Sequence, residues 1–359
     1  MARRQKKNCG SKSKLRAIDL FAGCGGLTVG LKRAGFKVLG AVDIDPLATK
    51  TYRYNHRGVR VWETDISRLP VAAVMRELGL RRGSLDLLAG CPPCQGFSSM
   101  RTLNGGKRIR DEQNDLLFEF QRFVNVLRPK AIMLENVPRL SKNWRLRSFT
   151  DYLARLGYEC EKGILDAADF GVPQRRKRFI LVALRRGSPR FAESDPKRTT
   201  VRDTIKSLPR PGTSNDALHD FPEDRAEHVK AIIRCIPKDG GSRSSLNRQL
   251  KCHQDFDGFR DVYGRMSWDS VSPTITGGCV NPSKGRFLHP SQHRAITLRE
   301  AALLQSFPPK YRFCLDRGKF AVAQMIGNAL PSEFIRRHAI ELKAALTKKR
   351  KSRNGRKQH

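Results

Sequence analysis

The chain has 359 residues, 39 % of them hydrophobic, which is enough to bury a core in two domains or in one large domain with an insertion. Lys and Arg number 70 against 34 Asp and Glu, so the formal net charge is +36. This excess predicts a polyanionic partner, nucleic acid before an acidic membrane surface, while the lack of any long apolar run argues against a membrane-spanning protein or a signal peptide.

The two ends, residues 1–15 and 347–359, are strongly basic and almost free of apolar residues. We expect both to be disordered tails that attract phosphate. The nine cysteines are odd in number and follow no regular spacing, which is typical of a reducing compartment. We therefore expect an intracellular protein, in the cytoplasm or nucleoid of a prokaryote or the nucleus of a eukaryote.

Short apolar runs alternate with stretches of helical spacing over residues 16–187. The apolar runs predict buried parallel strands at RAIDLF, VLGAVD, LDLLAG, AIMLEN and RFILVAL. Helical spacing follows at Leu27–Ala34, Pro46–His56, Val71–Leu80 and Asp115–Leu127. Repeated strand–helix units predict an α/β fold with a doubly wound sheet.

The composition changes over residues 188–290, where Pro, Gly, Ser and Arg become frequent and one helix is predicted near Glu223–Cys235. This stretch predicts a smaller, irregular second domain. Helical patterns return at Thr297–Ser306 and Pro331–Leu346, within a C-terminal segment over residues 291–346. No internal repeat is visible.

A glycine cluster follows the first predicted strand, with Gly23, Gly25 and Gly26 in DLFAGCGGLTVGL. Glycines at this position let backbone approach a ligand closely, although a tight structural turn explains them equally well. A dinucleotide fingerprint requires another glycine where Thr28 stands. A pyrophosphate-binding loop, and with it an NAD-dependent oxidoreductase, is therefore disfavoured.

Acidic residues end the next two strand runs, Asp43 in AVDID and Asp65 in ETDISRL. Asp43 lies at the separation from Gly23 where an acid meets ribose hydroxyls, and Asp65 is placed to reach an adenine amino group. Each is a helix cap in the alternative interpretation. Together with the glycines they predict an adenosine site without pyrophosphate, which fits S-adenosylmethionine with its carboxylate at the helix N-terminus.

Two cysteines flank a Pro-Pro pair in GCPPCQGFSSM. A structural zinc site needs two further ligands at matching spacing, and a redox pair normally opens a helix, so both are disfavoured and no metal is expected. The remaining interpretation is a nucleophilic cysteine at the carboxyl end of a strand. Cys94, rather than Cys91, is the outward-facing candidate. Glu135 ends the next strand, and Gln174, Arg176 and Arg178 lie just before and at the start of the last predicted strand.

From Arg16 to Leu346, the order of these motifs resembles that of the cytosine-C5 DNA methyltransferase family. The resemblance is to the prokaryotic type, whose members depend on S-adenosylmethionine. The motifs are DLFAGCGG, VDID, TDI, PPCQGFS, ENV, QRRKR, a variable stretch, RAITLREAALLQSFP and GNALP. The resemblance implies a Rossmann-like catalytic domain over 16–187, a target-recognition domain over 188–290, and a last helix that packs back on the first domain.

The resemblance also implies roles for individual residues. Cys94 is expected to be the nucleophile, Glu135 the acid, and Arg176 and Arg178 the arginines near the base. The expected cofactor residues are Asp19, Phe21, Gly23, Cys24, Gly26, Asp43, Ile44, Asp65, Ile66, Pro93, Leu117, Asn328 and Ala329. The candidate DNA contacts are Gln95, Ser98, Arg101, Arg243, Arg260, Arg265, Thr274, Thr276 and Gly277.

The predicted activity is transfer of a methyl group from S-adenosylmethionine to C5 of a flipped cytosine in duplex DNA, through a covalent Cys94 adduct. Residues 98–114 predict a mobile basic lid, in which Gln113 replaces an arginine that the family often carries. We expect a monomer, with a cognate restriction endonuclease as a candidate partner. The alternatives are a tRNA cytosine-5 methyltransferase and a catalytically idle DNA-binding regulator.

Overall fold

The computed structural model describes residues 14–93, 116–243 and 261–355, with side chains as far as residue 348. Seven strands form one sheet in the order β3-β2-β1-β4-β5-β7-β6. They are β1 (Arg16–Leu20), β2 (Lys37–Asp43), β3 (Arg60–Glu63), β4 (Leu87–Gly90), β5 (Ala131–Asn136), β6 (Glu159–Asp166) and β7 (Lys177–Leu184).

Helices connect the strands and cover both faces of the sheet. They are α1 (Gly26–Arg33), α2 (Pro46–Asn55), α3 (Val71–Glu77), α4 (Leu116–Leu127), α5 (Trp144–Arg155), α6 (Val201–Ile205), α7 (Glu227–Cys235), α8 (Leu298–Leu304), α9 (Gly318–Asn328) and α10 (Ser332–Gly355). The sequence patterns predict all but α5, α6 and α9. The α/β class expected from them is confirmed.

Strands β1 to β5 run parallel, so their carboxyl ends share one edge of the sheet. Strand β7 pairs antiparallel with both β5 and β6, so the expectation that RFILVAL is a parallel strand is wrong. The reason is that β6 precedes β7 in the chain and pairs with it directly, without the crossover helix that a parallel neighbour requires. The chain order reverses beside β1, and in open α/β sheets this is the place at the carboxyl edge where ligands generally bind.

The sheet separates two hydrophobic layers because alternate strand residues face opposite sides. Ile18 and Leu20 of β1 pack in the layer that contains α3, α4 and α5. Ala17 packs in the other layer, with residues of α1 and with Phe334 and Ile335 of α10. The last helix therefore returns to the first part of the chain, as expected from the sequence.

A third cluster joins distant parts of the chain. Met266 and Ile275, from the predicted recognition domain, pack with Ile326 of α9 and with Cys24 and Val29 beside the glycine loop. The boundaries of that domain remain a prediction, but its apolar residues share a core with the segments on either side. Over the described residues, no helix combines the length and apolar character that crossing a membrane demands.

Candidate active site at the carboxyl edge of the sheet

The glycine loop leaves β1 through three residues with left-handed backbone conformation, Phe21 (φ 59°), Gly23 (φ 53°) and Gly25 (φ 99°). Its first part is fixed to β2, because the N–H of Gly23 donates to Asp43 Oδ2 at 2.7 Å. The left-handed angles explain two of the glycines without any ligand, since a residue with a Cβ rarely adopts them.

The three glycines face different surroundings. A Cβ on Gly25 would lie 2.5 Å from His56 Nε2, and one on Gly26 would lie 2.7 Å from the carbonyl oxygen of Leu330. A Cβ on Gly23 would meet nothing within 4 Å. A Cβ at Gly25 or Gly26 would therefore clash with the protein itself, so packing alone explains these two glycines, and the open side of the loop lies at Gly23.

Asp43 and Ile44 lie beside this open side of the loop. The carboxylate of Asp43 accepts from the N–H groups of Gly23 and Asp45, at 2.7 and 2.9 Å, while burial raises the pKa of Asp43. Ile44 is 67 % exposed, which is unusual for a large aliphatic residue. The pair offers a carboxylate and an uncovered apolar surface next to each other.

Asp65 follows β3 on the same edge of the sheet and caps a short turn, accepting from the N–H of Ser67 at 2.9 Å. This hydrogen bond lowers the pKa of Asp65. Capping the turn is the role that the alternative interpretation of the sequence gives to Asp65. The carboxylate still has oxygen lone pairs free to accept further hydrogen bonds.

Asp19 lies fully buried at the base of the loop. Its Oδ2 accepts a hydrogen bond of 2.7 Å from Thr28, whose hydroxyl also contacts that of Tyr52 at 2.8 Å, while Oδ1 has no partner. Burial raises the pKa of Asp19 to about 7. A carboxyl group that is desolvated and half satisfied is typical of functional sites rather than of structural ion pairs.

The remaining cofactor candidates divide between the core and the edge. Cys24 is buried and its thiol donates to the carbonyl of Met325 at 3.6 Å, while Ile66 and Leu117 are buried in the main core. The contact of these three residues with a cofactor stays a prediction. Asn328 is exposed, and its Oδ1 accepts from Gln324 at 2.9 Å.

Pro93 is exposed, and Ala329 is partly buried just after α9. Both Asn328 and Ala329 come from the C-terminal segment, which the sequence expectation places against the first domain. Asn328 ends α9 and Ala329 follows it directly, and their contact with a cofactor stays a prediction.

Glu135 and Arg178 form an ion pair at the ends of β5 and β7, with 3.0 Å between Arg178 Nε and Glu135 Oε1. The Glu135 side chain is 9 % exposed, and the thiol of Cys91 hydrogen-bonds to it. Burial raises the pKa of Glu135, while Arg178 and Arg176 oppose the rise. The structure thus pairs an acid whose pKa is raised with an arginine; both residues are candidates from the sequence, which does not predict their contact.

Asn136, the next residue after Glu135, holds the Pro-Pro turn. Its Nδ2 donates to the carbonyl of Pro92 at 2.9 Å, and its Oδ1 accepts from the N–H of Val137 at 2.7 Å. The turn that leads to Cys94 is therefore fixed beside Glu135. Cys94 itself lies outside the described residues, as do Gln95, Ser98, Arg101, Gln113 and Arg260.

Arg176 has a different setting from Arg178. Its guanidinium is buried and donates to the carbonyls of Ile275, at 2.9 Å, and Gly327, at 2.8 Å. Burial lowers the pKa of Arg176 to about 9. These donors connect the residue before β7 to Ile275 and to the last turn of α9, while its Nε has no partner. Arg178 is the arginine beside Glu135, and a contact of Arg176 with the base stays a prediction.

Gln174 completes this connection. Its side-chain carbonyl accepts from the N–H of Ile275 at 2.8 Å, and its Nε2 donates to Gln305 Oε1 at 2.8 Å. Gln305 in turn donates to the carbonyls of Ile326 and Ala329. The sequence did not predict these hydrogen bonds of the side-chain amides, because the residues around Gln174 indicated only a basic run before a strand.

Arg265 is also fully buried, which corrects its assignment as a DNA contact. Its guanidinium donates to five carbonyl oxygens, one near the end of α7 and four in the loops around it. The acceptors are Ile233, Ile236, Pro237, His289 and Gln292. A guanidinium with its donors engaged in this way stabilises the fold and has no hydrogen bonds left to read a base.

The other recognition candidates lie nearer the surface. Thr274 donates to the carbonyl of Arg175 at 2.7 Å, and Thr276 accepts from the N–H of Gly278 at 3.4 Å. Gly277 packs against Gln324, and Arg243 is partly buried. Their contact with DNA stays a prediction.

The open α/β sheet, with its order reversal beside the glycine loop and polar groups from five strand ends on one edge, defines a Rossmann-like methyltransferase fold. The family model for C-5 cytosine-specific DNA methylase matches residues 15–344. The chain therefore belongs to the C-5 cytosine-specific DNA methylase family, and the enzyme class expected from the sequence, DNA (cytosine-5)-methyltransferase, is confirmed.

Two curated relatives are named as Type II methylases or methyltransferases. The chain is 36 % identical over 332 residues to Type II methylase M.HgiDII of Herpetosiphon aurantiacus, covering 88 % of this chain and 91 % of the relative. It is 34 % identical over 324 residues to Type II methyltransferase M1.HphI of Haemophilus parahaemolyticus, covering 88 % and 83 %.

Solved structures show the same fold. An E. coli prophage-encoded protein assigned as a DNA modification methyltransferase aligns with a TM-score of 0.72 at 24 % identity, covering 93 % of this chain and all of that one. The Dnmt2 methyltransferase of S. pombe aligns with a TM-score of 0.63 at 19 % identity, with the same coverage. Among the described residues, no group of His, Cys, Asp and Glu could hold a metal ion.

Proposed function

We propose that this protein transfers a methyl group from S-adenosylmethionine to C5 of a cytosine in a specific duplex DNA sequence. The observation that carries the proposal is the buried Glu135–Arg178 pair beside the fixed Pro92–Pro93 turn. The acid and the arginine lie beside the turn that precedes Cys94, the residue that the family motif makes the nucleophile. The net charge of +36 supports DNA as the substrate.

The residues at the glycine loop fit the cofactor. The open side of Gly23 leaves room for a bound group, Asp43 offers a carboxylate for hydroxyl groups, and the exposed Ile44 offers an apolar surface for a base. The N-terminus of α1 favours a carboxylate. S-adenosylmethionine, when bound, supplies an electrophilic methyl group.

Cytosine C5 is a poor nucleophile, and three residues of the chain make it reactive enough to accept a methyl group. The Cys94 thiolate adds to C6, which opens the C5–C6 double bond and makes C5 nucleophilic. Glu135 protonates N3, where negative charge develops, and Arg178 stabilises the charge at O2. After C5 is methylated, loss of its proton restores the double bond and expels Cys94. The raised pKa of Glu135 keeps it protonated at a higher pH than an exposed glutamate.

These groups cannot reach a cytosine inside a duplex, so we infer that the base is flipped out. Two relatives are named Type II enzymes, which supports a role in a restriction-modification system. A cognate restriction endonuclease is the corresponding partner.

The test uses duplex DNA in which 5-fluorocytosine replaces the target cytosine. Cys94 can still add and C5 can still be methylated, but the fluorine cannot leave as a cation. We expect a protein–DNA adduct that survives denaturation and requires S-adenosylmethionine.

The matched variants are Cys94→Ala, which should abolish the adduct, and Cys91→Ala, which should retain it. An adduct that persists in Cys94→Ala would contradict the nucleophile assignment. Trapping on tRNA but not on DNA would favour the tRNA methyltransferase that the sequence leaves as an alternative.

A further inference from the structure

Tyr311, in the segment between α8 and α9, contacts the glycine loop from the C-terminal part of the chain. Its hydroxyl lies 2.5 Å from the carbonyl oxygen of Cys24 and 3.0 Å from His56 Nε2. Both Tyr311 and His56 are buried. The sequence predicts no role for either residue, and the proposed mechanism does not use them.

The hydrogen-bond directions in this group follow from its chemistry. A carbonyl oxygen only accepts, so the single hydroxyl proton of Tyr311 is donated to Cys24. His56 Nε2 must then carry a proton and donate to the Tyr311 oxygen. Its Nδ1 is left as an acceptor for Lys32 Nζ, which lies 3.3 Å away. Burial lowers the pKa of His56 to about 3, in agreement with a neutral ring.

This chain of hydrogen bonds ends on one peptide group of the loop. The carbonyl of Cys24 is held by Tyr311, and the N–H of the same peptide, that of Gly25, donates to the carbonyl of Ala22 at 2.9 Å. The side chains also pack against Gly25 so closely that a Cβ there would lie 2.7 Å from the Tyr311 hydroxyl. The orientation of the peptide that precedes α1 is thus fixed from both sides.

We propose that Tyr311, oriented by His56, is a positioning residue for cofactor binding. It holds the loop so that the N–H groups at the start of α1 are aligned before S-adenosylmethionine arrives. This inference rests on the proposed function, because it assigns the glycine loop to the cofactor. A preorganised loop binds more tightly because less ordering is left to the binding step.

The experiment compares Tyr311→Phe with Tyr158→Phe. Tyr158 is a matched control, since it is also buried and its hydroxyl also donates to a backbone carbonyl, that of Pro129, at 2.5 Å. For each full-length variant, titration calorimetry gives the Kd for S-adenosylmethionine, and methyl transfer at saturating cofactor gives kcat. The melting temperature without cofactor reports the structural cost.

We expect Tyr311→Phe to raise Kd and KM for S-adenosylmethionine about three- to tenfold, the effect of one hydrogen bond, with kcat at saturation unchanged. Tyr158→Phe should lower the melting temperature and leave Kd unchanged. Equal Kd values for Tyr311→Phe and the wild-type protein would overturn the inference. Absence of S-adenosylmethionine binding to the wild-type protein would instead overturn the proposed function.

A second pair of variants covers the case in which Tyr311→Phe does not fold. His56→Gln keeps an N–H donor for the Tyr311 oxygen, whereas His56→Leu removes it. We expect a raised Kd for the leucine variant only. Equal effects of the two substitutions would mean that His56 contributes packing alone, which would contradict the orienting role.

Discussion

Buried polar groups behave differently at the carboxyl edge of the sheet and in the segment 188–290. At the edge, Asp19 has one carboxylate oxygen without a partner, and Glu135 is held in surroundings that raise its pKa. In the segment, Arg265 donates to five carbonyls. Asp19 and Glu135 are thus held in surroundings that cost stability, whereas Arg265 fixes irregular backbone.

The contrast shows how a buried charged residue with a functional role can be distinguished from one that only stabilises the fold. A saturated arginine stabilises loops that have no regular secondary structure to satisfy their carbonyls. A carboxyl group that is desolvated and incompletely paired destabilises the fold and so indicates a role in binding or chemistry. The comparison predicts that substitutions in the two regions will separate activity from stability.

The largest effect is expected from Glu135→Gln. The amide keeps the shape and can contact Arg178, but it cannot deliver a proton to N3. On the proposed mechanism, kcat for methyl transfer should fall by about 10²–10⁴, with little loss of melting temperature because a buried ionisable group has been removed.

The control is Glu119→Gln on α4, which alters another Glu–Arg pair, 2.7 Å from Arg122, outside the site. It should leave kcat unchanged. Full activity of Glu135→Gln would contradict the distinction between the two regions, because Glu135 and Arg178 would then form only a structural ion pair.

Arg265→Ala should act on stability instead. Five carbonyls lose their donors at once, so the free energy of unfolding should fall by about 3–5 kcal/mol, measured by denaturant titration. Arg210→Ala, at an exposed position of the same segment, is the control and should change little.

Arg265→Lys should give an intermediate loss, since one ammonium cannot reach all five acceptors. A stable Arg265→Ala protein with weakened DNA binding would restore the sequence-based assignment of Arg265.

The smallest effect is a pH dependence at Asp19. Its pKa is about 7 in the folded protein against an ordinary value of 3.8, so the folded state holds the proton more tightly. Stability contributed by the protonated form is present below about pH 3.8 and is lost as the pH rises toward about 7.

Asp19→Asn should remove this loss, so the stability difference between variant and wild type should grow with pH, by up to about 1.4 kcal/mol per pH unit. Melting temperatures between pH 4 and pH 8 test it, with the exposed Asp151→Asn as control for net charge. A difference that does not change with pH would show that Asp19 is ionised throughout.

The sequence by itself determined the α/β class, most helices, the order of the motifs and the candidacy of Glu135 and Arg178, whereas their ion pair was seen only in the structure. These features depend on local patterns: apolar runs, helical spacing, and the rule that parallel strands end at one edge. The glycine cluster was visible in the same way.

Only the tertiary structure decided the direction of β7, the buried positions of Arg176 and Arg265, and the contact of Tyr311 with the loop. Each depends on groups distant in the sequence, such as the 287 residues between Tyr311 and Cys24. An arginine has the same letter whether its partners are carbonyls or phosphates. Which of the two it meets is set by chain packing, because a buried guanidinium must satisfy its donors wherever the fold places it.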